Sequence, residues 1–85
     1  MAEVEIYTQW GCPYCTRAKA LLARKGAAFT EIDITMDTGK RAEMAQRAPG
    51  ARTVPQIFIG GKAVGGSDDL QALEDAGRLE AMLAG

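Results

Sequence analysis

Cys12 and Cys15 are the only two cysteines of the 85-residue chain, set in the run Trp10-Gly11-Cys12-Pro13-Tyr14-Cys15-Thr16. Thiols at this spacing can supply half of a metal site, form a structural disulfide, or cycle between dithiol and disulfide. A tetrahedral zinc site takes four ligands. With no histidine and no third cysteine in the chain, no metal is expected. Structural disulfides belong to oxidising compartments. The opening residues Met1-Ala2-Glu3-Val4-Glu5 have neither the basic start nor the apolar stretch of a signal peptide. No apolar run approaches the ~20 residues that span a bilayer. The expected location is the cytoplasm, where thiols stay reduced, and the reading that fits is a reactive pair.

The spacing also assigns different roles to the two sulfurs. Pro13 suits the first turn of a helix, because its missing N–H would be unpaired there anyway. Cys12 then lies at the helix N-terminus, where free N–H groups and the positive end of the dipole favour a thiolate. Cys15, three residues on, falls on the same face inside the first turn and should be more buried and less ionised. One sulfur attacks and the other resolves.

The elements that must hold this pair follow from periodicity. Val4 to Thr8 reads as a short strand that stops at Gln9. After Pro13, Cys15, Ala18, Leu21 and Leu22 recur at helical steps until Gly26. Phe29 to Ile34 reads as a second strand, and about Asp37 to Ala48 as a second helix, with Met44 and Ala48 facing inward and Pro49-Gly50 ending it. Ile57-Phe58-Ile59 is an unbroken apolar run, expected for a strand covered on both faces. Gly60-Gly61 can supply the positive φ angles of a two-residue turn, with Lys62 to Val64 pairing back. Ser67 reads as a helix N-cap, with Asp68 and Asp69 in the first turn. Leu70 and Leu73 face inward, Gly77 ends that helix, and Leu79, Met82 and Leu83 suggest a last short helical piece. The order is β-α-β-α-β-β-α, an α/β arrangement whose first β-α-β is a right-handed parallel crossover.

At 47% hydrophobic and 25% charged, the composition is that of a folded domain, here one domain over 1–85. A net charge of -1 gives no overall basic field for nucleic acid or anionic lipid. The charge is nevertheless uneven. Arg17, Lys19, Arg24 and Lys25 fall in a stretch without acids, whereas Asp68, Asp69, Glu74, Asp75 and Glu80 make the last third acidic. Two solvated helix faces of opposite sign account for most of these charges.

Three motifs together, Cys12-Pro13-Tyr14-Cys15, Thr53-Val54-Pro55 and Gly65-Gly66-Ser67-Asp68-Asp69-Leu70, resemble a dithiol glutaredoxin of the short bacterial type. The resemblance covers essentially the whole chain. It implies the thioredoxin fold: a four-stranded mixed sheet, its third strand antiparallel to the first, with helices on both faces. It implies a glutathione-dependent oxidoreductase that reduces glutathione mixed disulfides and protein disulfides through a redox-active Cys12/Cys15 pair. Glutathione would be reductant and co-substrate, regenerated indirectly by glutathione reductase and NADPH. Disulfide-containing proteins would be the partners, ribonucleotide reductase among the family's clients, and the chain would act as a monomer.

The resemblance also assigns the glutathione contacts. The backbone of Val54 would pair with the cysteinyl part as an added strand, and Pro55 would be cis; on the residues alone, Thr53-Val54-Pro55 is a turn leading into a strand. Gly66 would allow close approach, with the γ-glutamyl carboxylate on the N–H groups of Ser67 and Asp68. The Asp68 carboxylate would take the γ-glutamyl ammonium, while Asp69 complements the helix dipole. Arg52, next to Thr53, is the preferred partner of the glycyl carboxylate; Arg41 is a second candidate or a solvated helix residue. Tyr14 would flank the bound thiol. One departure stands out: glutaredoxins often carry Lys or Arg three residues before the nucleophile, and this chain has Gln9.

Three other functional classes compete with this reading. An iron–sulfur module, in which two chains and two glutathiones hold a cluster, is disfavoured by the rigid Pro13. A redoxin fed by thioredoxin reductase would lack the pattern at Arg52 and Gly66-Ser67-Asp68. An adaptor using Trp10 as a contact would not need an intact cysteine pair.

Overall fold

The computed structural model describes residues 2–85. A four-stranded sheet runs in the order β2-β1-β3-β4. The elements are β1 (Val4–Thr8), α1 (Pro13–Arg24), β2 (Thr30–Asp33), α2 (Thr38–Arg47), β3 (Gln56–Ile59), β4 (Lys62–Gly65), α3 (Ser67–Asp75) and α4 (Leu79–Ala84). β1 pairs parallel to β2 and antiparallel to β3, so the sheet is mixed.

The period-2 alternation of the two central strands decides what covers each face. Val4 and Ile6 of β1, with Ile57 and Ile59 of β3, meet Ala18, Leu21 and Leu22 of α1, Leu70 of α3, and Leu79 and Leu83 of α4. Tyr7 and Phe58 point to the opposite face, where they pack with Ile34 and with Met44 of α2. Helices therefore cover both faces, and the apolar run of β3 is buried throughout. Each fully buried aliphatic or aromatic side chain of this core contributes about 1.5–3 kcal/mol relative to exposure.

On the α2 face a polar cluster ties helix to sheet. Arg47 donates to both Glu5 carboxylate oxygens, at 2.7 and 3.1 Å, and to the Tyr7 hydroxyl at 3.0 Å. Its guanidinium also lies 4.1 Å from the centre of the Phe58 ring. Tyr7 in turn donates to Glu43 at 2.6 Å. On the other side, Lys25 at the end of α1 pairs with Glu74 and Glu80 at 3.0 and 2.8 Å. Part of the charge asymmetry of the sequence is thus spent on joining α1 to the last two helices.

Three local features differ from expectation. The second strand is shorter than 29–34, although Ile34 still donates to the Thr8 carbonyl at 2.8 Å and continues the pairing. β4 extends to Gly65 with an irregularity opposite Ile57 and Phe58. The N-cap of α3 is Gly66, not Ser67, which is the first helical residue. The cause is Asp69, whose carboxylate reaches back to accept from the Gly66 N–H at 2.9 Å. No helix among the described residues is long and apolar enough to cross a membrane.

Candidate active site

The site begins where β1 hands over to α1. Cys12 is the N-cap of α1, Pro13 follows it in the first turn, and no acidic side chain lies in that turn. The Cys12 sulfur instead accepts a hydrogen bond from the backbone N–H of Cys15 at 3.3 Å. Cys12 is half-buried and Cys15 buried, and both are free thiols. Burial, then the hydrogen bond to Cys12, pushes the Cys15 thiol up to about 11. A buried thiol with little solvation for its anion stays protonated, whereas the Cys12 sulfur sits outside the helix as its N-cap.

Across from Cys12 lies the loop that enters β3. The Val54–Pro55 peptide bond is cis, and the Val54 carbonyl lies 3.8 Å from the Cys12 sulfur, a long contact of the thiol as donor. Among the described residues no backbone bond engages the N–H or carbonyl of Val54, which leaves a short free edge beside the thiol. Buried Gln56 holds this loop, its side-chain amide donating to the Thr53 carbonyl at 2.9 Å. Sequence reasoning missed Gln56; a polar residue directly before an apolar run that must be covered on both faces was the available signal.

An open groove of about 770 Å³ extends from this edge to the start of α3. Tyr14, Thr53, Val54, Pro55, Gly66, Ser67 and Asp68 all line it. Gly65, at φ +114°, turns the chain into the α3 N-terminus, and a Cβ there would collide with the Asp69 carboxylate. A Cβ on Gly66 would come to 3.5 Å from the Pro55 carbonyl, an ordinary contact distance that shows how closely the two loops approach. With Gly66 N–H taken by Asp69, the N–H groups of Ser67, Asp68 and Asp69 have no partner within the helix.

Arg52 is exposed and does not line the groove. Arg41 is also exposed, but its guanidinium reaches across to the Gln9 side-chain oxygen at 3.5 Å. A cation from α2 thereby stands against the position three residues before Cys12. Tyr14 is 53% exposed at the groove mouth, with the Arg17 guanidinium 5.5 Å from its ring centre.

The family model for glutaredoxin matches residues 4–64. This chain belongs to the glutaredoxin family. Glutaredoxin 3 of Escherichia coli (strain K12) is 54% identical over 83 residues, covering 98% of this chain and 99% of that one. The solution structure of glutaredoxin from Brucella melitensis superposes with a TM-score of 0.85 at 61% identity, over 98% of this chain and 89% of that chain. The crystal structure of a buckwheat glutaredoxin–glutathione complex gives a TM-score of 0.87 at 33% identity, over 98% and 77%. The fold is accordingly the thioredoxin fold, and the activity of the Cys12/Cys15 glutaredoxin is that of a glutathione-dependent thiol–disulfide oxidoreductase.

Proposed function

We propose that Cys12 is the nucleophile, Cys15 the resolving thiol, and the groove from Val54 to Asp68 the glutathione site. The observation that supports this most strongly is the pairing of a half-buried N-cap sulfur, bonded at 3.3 Å by the backbone N–H of Cys15, with the buried and protonated thiol of Cys15 itself.

With a glutathione mixed disulfide, the Cys12 thiolate attacks the glutathione sulfur. The mixed disulfide breaks, the substrate thiolate leaves and takes up a proton, and glutathione stays on Cys12. A second glutathione thiolate then attacks the bound glutathione sulfur, regenerating the Cys12 thiolate and releasing glutathione disulfide. With a protein disulfide, Cys12 forms a mixed disulfide and one substrate thiolate departs. Cys15 then gives up its proton and attacks the Cys12 sulfur, the second substrate thiolate departs protonated, and a Cys12–Cys15 disulfide remains. Two glutathiones restore the dithiol and leave as glutathione disulfide. No histidine is needed as a base if Cys12 reacts as a thiolate.

Each end of glutathione has a chemical counterpart. The free edge of Val54 pairs with the cysteinyl peptide, held by Thr53 and Pro55, and Tyr14 flanks the sulfur. The open N–H groups of Ser67 and Asp68, beside Gly66, take the γ-glutamyl carboxylate, and the Asp68 carboxylate takes the ammonium. Arg52 and Arg41, both exposed cations, serve the glycyl carboxylate, Arg41 from its place against Gln9. The protein works as a monomer in the cytoplasm, where glutathione is kept reduced by glutathione reductase and NADPH, on glutathionylated and disulfide-bearing proteins, including ribonucleotide reductase.

The test is reduction of a small glutathione mixed disulfide, coupled to glutathione reductase and NADPH consumption. Turnover that saturates with glutathione supports the assignment. Turnover driven by thioredoxin reductase but not by glutathione contradicts it.

A further inference from the structure

Four cations lie between residues 16 and 25, and the fold uses only two of them. Lys19 pairs with Glu31 at 3.0 Å, and Lys25 with Glu74 and Glu80. Among the described residues Arg17 and Arg24 have no carboxylate partner. Both line a second groove of about 450 Å³ between α1 and α3, whose other walls include Leu21, Ser67, Asp68 and Gln71. This groove shares Ser67 and Asp68 with the glutathione groove. Its upper end reaches Arg17, which stacks on Tyr14 between the two cysteines. Two guanidinium groups without a carboxylate partner, on a groove that also holds Ala20 and Leu21 and ends beside Tyr14, form a recognition surface for carboxylates.

We propose that this groove docks an acidic, extended segment flanking the disulfide of a protein substrate. The proposal rests on the reading of Cys12 as nucleophile, because Arg17 at the end of the groove stacks on Tyr14, two residues from that sulfur. Arg17 and Arg24 are seven residues apart, about 10 Å along a helix, a span covered by about three residues of extended chain. The preferred segment therefore carries two acidic residues two to four positions apart. Asp68 is the one acid in the wall and lies at the end where glutathione's ammonium is assigned. Two guanidiniums on a chain of net charge -1 are too sparse for a nucleic acid or membrane surface.

The experiment compares two synthetic peptides, each with one internal disulfide, identical except for a Glu pair or a Gln pair beside it. Reduction is followed with glutathione, glutathione reductase and NADPH, for the wild type, Arg17→Gln/Arg24→Gln and Arg17→Lys/Arg24→Lys. The wild type should reduce the Glu peptide with kcat/KM about five- to tenfold higher than the Gln peptide. Added salt should shrink that ratio, since exposed pairs are screened. The Gln double variant should treat both peptides alike, and the Lys variant should keep part of the preference. Cysteine–glutathione disulfide serves as the separate control: its turnover by the wild type tests the Cys12 assignment alone, and the double variants should match it. Equal rates on both peptides in the wild type, or a preference that survives in the Gln variant, would overturn the docking proposal. Loss of small-disulfide turnover in the Gln variant would also overturn it, by placing the arginines in the glutathione site.

Discussion

The sulfur of Cys12 accepts a hydrogen bond from the backbone N–H of Cys15 at 3.3 Å, so the more accessible thiol caps the helix that carries the buried one. Their chemical difference is built into one turn of backbone. One sulfur sits at the N-cap outside the helix, bonded by the Cys15 N–H; the other sits inside, against the core.

That difference has a signature in stability. Burial raises the Cys15 thiol from 9.0 to about 11, so the folded protein holds this proton more tightly than the unfolded chain. Its contribution is full below about pH 9 and is lost as pH rises through about 11. Tyr7, also raised by burial, adds a loss of the same sign above its usual range. Urea unfolding of the reduced protein between pH 8 and 11 should show stability falling, and Cys15→Ser should remove the Cys15 part of the slope while leaving that of Tyr7.

Gly65 sets the geometry of the α3 N-terminus. Its φ of +114° is a region that other residues enter only at a cost, and its missing Cβ leaves room for the Asp69 carboxylate to cap Gly66. Gly65→Ala should cost about 1–3 kcal/mol of stability. For a domain of this size each kcal/mol is about 4–8 °C in Tm. Thermal melting checks the first effect, and a raised KM for glutathionylated substrate checks the disturbed anion site.

Asp68 is assigned to the ammonium of glutathione. Hydrogen bonds to charged groups contribute about 1.5–3 kcal/mol, so Asp68→Ala should weaken recognition about ten- to a hundred-fold. The alkylation rate of Cys12 should change little. An unchanged KM for a small glutathione mixed disulfide would remove Asp68 from the site.

Much of this was legible in the sequence because local chemistry and global fold agree. The five residues of the first strand, the Pro13 helix start and the Gly60-Gly61 turn, with φ of 59° and 81°, all follow from residue type and period. Ser67 illustrates the limit. Serine is a good N-cap, but Asp69 two residues later satisfies the Gly66 N–H and moves the cap back by one. Arg52 adjoins Thr53 in the chain, and its side chain is exposed outside the groove lining, a placement that sequence adjacency does not specify. The contacts Arg41–Gln9, Gln56–Thr53 and Arg47–Glu5 depend on tertiary docking or a particular loop path, and no periodicity encodes them.

The central claim is the division of labour between the two thiols. It is tested most directly by the glutathione-dependent turnover of a small glutathione mixed disulfide, measured side by side for Cys12→Ser and Cys15→Ser. The account predicts no turnover above the uncatalysed rate for Cys12→Ser, and turnover retained by Cys15→Ser, which needs no resolving thiol for this substrate. An active Cys12→Ser beside an inactive Cys15→Ser would contradict it.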